Sequence, residues 1–150
     1  MRVERFILGP CRVNCYLLRA AGEAVVVDPA DGAESVLPVL AEEGLTLVRI
    51  LCTHLHRDHI GGAAALARAT GALVQASPLD APLFEEAIGR GGQHGLPPLS
   101  AFHFWALPPG RATLLGEPCL VLPTPGHSPG SLSFFFPRSG VLFTGDLLFR

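Results

Sequence analysis

The sequence has no strongly basic run, no long uninterrupted apolar stretch and no signal-peptide pattern. The 11 Lys and Arg residues against 13 Asp and Glu give a net charge of −2, which argues against nucleic acid as the main partner. Charged residues and prolines interrupt every candidate membrane span. Because Glu4 and Gly9-Pro10 fall where a signal peptide needs an apolar region, we expect a cytoplasmic protein without a membrane partner.

The cysteines form no Cys-x-x-Cys pair, and we predict that all four are buried free thiols. They are Cys11, Cys15, Cys52 and Cys119. The composition, 49% hydrophobic and 16% charged, is typical of a compact globular protein. At this length residues 1–150 are expected to form one domain.

Helix and strand patterns alternate early in the chain and give way to hairpins later. The run Val25-Val26-Val27 is continuous and apolar, as expected of a strand buried on both faces. The predicted strands span residues 3–8, 15–19, 24–27, 47–52, 73–76, 119–122, 131–136 and 141–144. The predicted helices span residues 33–43, 63–69 and 78–88, the last with Ser77 as its cap. We therefore predict an α/β protein in which helices cover sheets.

Residues 89–110 break this alternation with paired glycines, paired prolines and an aromatic cluster. Such a segment is typical of a lid or binding loop, or of a surface excursion packed by its own aromatic side chains, and both interpretations stay open here. Its two histidines, His94 and His103, are expected to be solvated or packed and not to bind a metal.

The motif from Thr53 to His59 reads Thr-His-Leu-His-Arg-Asp-His and holds three of the six histidines in the chain. His54 and His56 point the same way in an extended segment, whereas Asp58 and His59 follow on a turn and aim at a second point. Imidazole and carboxylate groups suit zinc, and also iron or manganese. A polar loop with histidines placed by chance explains this clustering poorly.

Two later turns carry further candidate ligands. His127 lies in the turn from Thr124 to Gly130, and Asp146 follows the strand predicted at residues 141–144. Each signal is weak alone. Together with the first motif they predict that three strand ends converge at one edge of a sheet, where ligands bind in open α/β folds.

With these motifs the chain resembles the metallo-β-lactamase superfamily, and within it the glyoxalase II-like hydrolases. The resemblance runs from Asn14 to Arg150 and is most specific from Thr53 to Gly62. It implies an αββα sandwich with two zinc sites, iron or manganese being alternatives. The implied ligands are His54, His56 and His127 for the first metal, Asp58 and His59 for the second, and Asp146 bridging both.

The chain also departs from the family pattern. The family carries a last histidine in a Gly-His-Gly turn, followed by further strands and a terminal helix, whereas this chain stops at Arg150. We therefore expect a domain that is incomplete at its C-terminus, with an incomplete second metal site. Ala30 also stands where the family usually has glycine.

The resemblance implies hydrolysis of a small-molecule thioester, similar to hydroxyacylglutathione. A bound metal lowers the pKa of water from about 15.7 to about 7, so that hydroxide forms near neutral pH. Asp58 would be the catalytic residue, because it would orient that hydroxide. Two alternatives are a mononuclear-iron persulfide dioxygenase and an incomplete domain that binds one metal without turnover.

Overall fold

The computed structural model describes residues 1–92 and 95–149, so the prediction for His94 lies outside the described residues. Its first sheet contains six strands, namely β1 (Arg2–Leu8), β2 (Val13–Ala20), β3 (Glu23–Val27), β4 (Thr46–Leu51), β5 (Leu73–Ala76) and β6 (Trp105–Ala106). They lie side by side in chain order. The first three pair antiparallel, and β3 to β6 run parallel.

The second sheet is antiparallel throughout and contains β7 (Gly110–Leu114), β8 (Glu117–Pro123), β9 (Leu132–Phe136) and β10 (Val141–Phe143). Its strand order is β10-β9-β8-β7. The β7–β8 hairpin closes through Leu115 and Gly116, whose φ angles of 52° and 72° are both positive. Positive φ at both central residues matches the twist of the flanking strands in a two-residue hairpin.

The helices are short, and most connect the parallel strands. They are α1 (Leu37–Glu42), α2 (Arg57–Ile60), α3 (Ala63–Thr70), α4 (Ala81–Glu85) and α5 (Ala87–Arg90). Three 3-10 turns accompany them, at Ala33–Val36, Pro78–Asp80 and Gly145–Leu147. The helix predicted at 33–43 is divided, because Pro38 is tolerated only in the first turn of an α-helix and α1 therefore begins at Leu37.

Two cores lie on opposite faces of the first sheet, and β3 contributes to both. Ala24 and Val26 pack towards the helices, whereas Val25 and Val27 pack between the two sheets. The prediction that β3 is buried on both faces is therefore confirmed. Helices, first sheet and second sheet form three successive layers of the predicted αββα arrangement.

The segment after α5 packs on the helix-side core. Phe102 and Phe104 contact Phe84 edge to face, with ring centroids 5.1 and 5.6 Å apart, and β6 extends the first sheet. His103 is exposed beside Trp105, as expected for a histidine outside the site. The aromatic side chains in the described part of the segment are therefore packed, as the second interpretation expects.

Three cysteines are buried as predicted, but the prediction is wrong for Cys11, which is exposed in the β1–β2 turn. The residues on either side of it, Pro10 and Arg12, are exposed as well, so the whole turn lies at the surface. Burial raises the pKa of Cys15 to about 12, and the negative charge of Asp28 adds to this effect. No helix within the described ranges is long and apolar enough to cross a membrane.

Candidate metal centre

The site lies where the edges of the two sheets meet. β4 is flanked by the parallel strands β3 and β5, so the residues that follow it emerge at the carboxyl edge of the first sheet. The turn that carries His127 joins β8 to β9 of the second sheet. The N–H of Leu132 donates to the carbonyl of Thr53 at 2.8 Å and links the two edges.

Three histidines from these two edges converge as predicted. His54, His56 and His127 form the first triad, in which one potential ligand atom of each lies within 4.8 Å of the others. His127 Nε2 lies only 2.9 Å from His56 Nδ1. Two ring nitrogens at this distance can share a proton or bind one ion, and imidazole nitrogen is a common zinc ligand.

The orientation of His54 is fixed by a chain of hydrogen bonds that begins at Asp28. The hydroxyl of Thr53 donates to Asp28 Oδ2 at 2.8 Å, and its oxygen is therefore free to accept the Nδ1–H of His54 at 3.0 Å. The lone pair of His54 is then on Nε2, which is buried without a hydrogen-bond partner among the residues that the structure describes. An orphaned buried nitrogen beside other ligand atoms fits a metal ion.

A second triad consists of His54, His59 and Asp146, again within 4.8 Å of one another. His59 Nε2 lies 3.1 Å from Asp146 Oδ1, while the other carboxylate oxygen lies 3.4 Å from His127 Nε2. Asp146 thus faces both triads, as expected of a bridging residue. On the far side of the His59 ring, Nδ1 pairs with Asp28 Oδ2 at 3.0 Å.

Asp58 lies beside the second triad without joining it. Its Oδ2 is 4.0 Å from His59 Nε2, and its side chain is 25% exposed. Neither triad within the described parts of the chain includes it. Of the six residues predicted to bind metal, the structure therefore brings five into two triads that share His54, and places Asp58 next to them.

The two buried histidines of the second triad have opposite pKa shifts. Burial, together with the nearby His59, lowers the pKa of His54 to about 3, so its ring is neutral at pH 7. Burial also lowers the pKa of His59, but the charges of Asp28 and Asp146 outweigh it and raise this pKa to about 10. The hydrogen bond from His59 in turn holds the pKa of Asp146 below its usual value.

A cavity of about 540 Å³ opens beside the second triad. Its lining includes Arg5, Arg12, Asn14, Tyr16, Asp58 and Asp146. Apolar residues line the same cavity, among them Leu142, Leu148 and Phe149.

Several residues that shape the site were not predicted as site residues from sequence. The carboxylate of Asp28 anchors Thr53 and His59. Asp31 accepts two hydrogen bonds from Arg57 at 3.1 and 2.9 Å. A sequence signal for Asp28 is its position directly after a buried apolar strand.

Comparison with known proteins agrees with this geometry. The metallo-beta-lactamase superfamily matches residues 8–150, and the chain belongs to this superfamily. A solved B3 metallo-beta-lactamase, BLEG-1, superposes with a TM-score of 0.87 at 34% identity, over 99% of this chain and 74% of that one. The predicted fold class is therefore confirmed.

Within the superfamily, the chain is similar to enzymes named hydroxyacylglutathione hydrolase. The one from Cereibacter sphaeroides is 42% identical over 93% of this chain and 50% of its own length, and GloC from Haemophilus influenzae is 33% identical over 100% and 73%. The chain spans about half the length of most such relatives. TTHA1623, solved in a di-iron-bound form, has a TM-score of 0.82 at 37% identity, over 98% of this chain and 73% of that one.

Proposed function

We propose that residues 1–150 form one domain that carries the metal centre of a thioester hydrolase. The observation that carries this proposal is the pair of triads sharing His54, whose buried Nε2 lacks a partner among the described residues. Relatives named hydroxyacylglutathione hydrolase support a small-molecule thioester as the substrate class.

The donor set suits two metal ions. His54, His56 and His127 would hold the first, and His59 and Asp58 the second, with Asp146 between them. Nitrogen and carboxylate ligands favour zinc and also accept iron or manganese. A bound metal supplies Lewis acidity, which lowers the pKa of water to about 7 and polarises the carbonyl under attack.

The chain itself contributes orientation and proton transfer. Asp28 holds the rings of His54 and His59 so that their Nε2 atoms face the site. Asp58 lines the cavity and is partly exposed, so it can accept the proton of an attacking water. Addition of that water to the carbonyl carbon and cleavage of the carbon–sulfur bond yield an acid and a thiol.

Elemental analysis and a thiol-release assay on the purified chain test the proposal together. We expect zinc bound at more than one equivalent and release of one thiol for each thioester cleaved. Absence of bound metal after loading with zinc, iron or manganese would reject the metal centre. Metal binding without turnover would favour the alternative of an incomplete domain that binds metal only.

Iron as the bound metal has one observation in its favour, which is the similarity to TTHA1623 in its di-iron-bound form, but two irons match the two triads and not the single iron of the dioxygenase alternative. A persulfide dioxygenase would require one iron and would consume dioxygen as it oxidises the persulfide sulfur. Bound iron together with oxygen uptake on a persulfide, and no thiol release from thioesters, would favour this function over hydrolysis.

A further inference from the structure

A further buried carboxylate, which lies outside both triads, joins the two loops that carry the first triad. Asp80 ends the 3-10 turn after β5 and is fully buried. Its Oδ2 accepts the N–H of Leu55 at 3.2 Å and the hydroxyl of Ser128 at 2.8 Å. Its Oδ1 accepts the N–H of Gly130 at 2.6 Å.

The three donors bracket the histidines of the first triad. Leu55 lies between His54 and His56, while Ser128 and Gly130 follow His127 in its turn. The first donor belongs to the edge of the first sheet, and the other two belong to the edge of the second. One carboxylate therefore connects the two loops whose separation sets the distance from His56 to His127.

The surroundings of Asp80 are built for this close approach. A Cβ on Gly130 would lie 2.6 Å from Asp80 Oδ1, so only glycine fits there. On the other side, Ser77 caps the 3-10 turn by accepting the N–H of Leu79 at 3.3 Å, which fixes the backbone that presents Asp80. Ser128 is itself held by the hydroxyl of Ser131 at 2.8 Å.

We propose that Asp80 is a positioning residue for the first metal site. No hydrogen bond among the described residues joins it to a ligand side chain, but it fixes the spacing of the His54-x-His56 loop and the His127 turn through their backbone and through Ser128. The backbone hydrogen bond from Leu132 to Thr53 also joins the two sheet edges. Its partners lie before His54 and after Gly130 in the sequence, so it holds the bases of the two loops, whereas Asp80 holds their tips. This inference rests on the proposed metal centre.

Titration of the full chain with cobalt(II), followed by the visible absorption of the ion, tests the inference. Asp80→Asn keeps the shape but replaces one acceptor oxygen with an NH₂ group that faces donors. We expect the affinity for the first equivalent of cobalt to fall by about 10- to 100-fold, the range for groups that orient metal ligands. We also expect a changed ligand-field spectrum, which a purely structural role would leave unaltered.

Glu117→Gln is the matched control, because it makes the same chemical change at another buried carboxylate. Glu117 accepts the hydroxyl of Ser139 at 2.7 Å and begins β8. The strand leads from there to the His127 turn over roughly 20 Å, at about 3.3 Å per residue. Cobalt affinity and spectrum should match the wild type in this variant.

An Asp80→Asn protein that binds cobalt with wild-type affinity and spectrum would overturn the inference while the proposed function stands. If circular dichroism shows that this variant does not fold, Ser128→Ala takes its place, because it removes one of the three donors to Asp80. We expect its affinity for the first equivalent of cobalt to fall by a few-fold, with a shifted spectrum. Wild-type binding in Ser128→Ala would then overturn it. A wild-type chain that binds no cobalt would reject the metal centre, and this inference with it.

Discussion

Asp28 and Asp80 are two buried carboxylates that serve the same site in different ways. Each follows a strand of the first sheet, and each accepts three hydrogen bonds, one of them from a backbone N–H of the motif that follows β4. Asp28 acts on rings, because it pairs with His59 directly and reaches His54 through the hydroxyl of Thr53. Among the described residues, Asp80 accepts hydrogen bonds from two backbone N–H groups and one serine hydroxyl.

The difference separates two requirements of a metal site. A ligand ring must present the correct nitrogen, and a hydrogen bond to its other nitrogen meets this need. The loops that carry the ligands must also stay at the right distance. Asp28 meets the first requirement for the second triad and for the shared His54, whereas Asp80 meets the second requirement for the first triad.

The largest expected effect comes from the residue that both networks serve. His54→Ala removes a ligand of the proposed first metal, so we expect the first equivalent to be lost and the second site, which shares Asp146 with the first, to weaken. Thioester hydrolysis should fall by a factor on the order of 10³ or more, because metal catalysis contributes several kcal/mol to the barrier. Elemental analysis and thiol release measure the two effects.

His103→Ala is the control for that variant, since His103 is an exposed histidine outside the site. It should keep wild-type metal content and activity. Retention of two full metal equivalents by His54→Ala would contradict His54 as a ligand of the first metal and, with it, the comparison between the two carboxylate networks.

Asp58 lies outside both networks and tests whether orientation of ligands is sufficient for activity. Asp58→Asn keeps the shape but loses the charge, so the side chain no longer accepts a proton from water. Because His54, His56 and His127 are unchanged, at least one metal should stay bound. Activity should fall by a factor on the order of 10², the range for a lost acid–base group.

Metal stoichiometry and hydrolysis rate should be measured on the same Asp58→Asn preparation. Glu85→Gln makes a similar change on the exposed surface, where Glu85 pairs with Arg90, and should alter neither quantity. Near-normal thioester turnover in Asp58→Asn, at unchanged stoichiometry, would reject a catalytic role for Asp58.

Asp28→Asn should weaken the second metal site more than the first. The amide cannot accept from Thr53 and His59 as the carboxylate does, so affinity for the second metal should weaken by about 10- to 100-fold. Stability should fall by about 1–3 kcal/mol, because buried donors lose their acceptor. Urea unfolding and metal titration measure these effects, and an equal loss at the first and second equivalents would show that Asp28 does not favour the second triad.

The sequence predicts the members of the two triads far better than the side chains that support them. His54, His56 and His59 share one short motif, and His127 and Asp146 each follow a predicted strand, which is why these residues stand out as candidates. The partners of Asp80 lie 25, 48 and 50 residues away, and only the meeting of two sheets brings them together. Distances of this kind leave no periodicity in the sequence.

The same reasoning explains which parts of the fold were predicted. The apolar strands β3 and β4 are long enough and buried enough to give a clear pattern. The strands β6 and β7 were not predicted. β6 is two residues long, and β7 ends at the turn Leu115-Gly116, which is not the Asn-Gly or Asp-Gly that usually marks a hairpin. These two strands form because tertiary packing overrides weak local preferences.

The smallest expected effect separates the two actions of Asp28. Thr53→Val keeps the volume of the side chain but removes the hydroxyl between Asp28 and His54. The carboxylate still accepts from the Thr53 backbone N–H and from His59, so the ring of His59 should keep its orientation. Only His54 Nδ1 loses its acceptor, and stability should fall by about 1 kcal/mol.

Because His54 is a ligand of the proposed first metal, Thr53→Val should weaken the first cobalt equivalent by a few-fold factor and the second equivalent less. Asp28→Asn, in contrast, should weaken mainly the second. Thr53→Ser keeps the hydroxyl but loses the methyl group, and it should bind cobalt with wild-type affinity. The two variants together distinguish loss of the hydrogen bond from loss of packing. A Thr53→Val protein with wild-type affinity at both equivalents would mean that Asp28 acts on His59 alone, and that the buried position of His54 is sufficient to orient its ring.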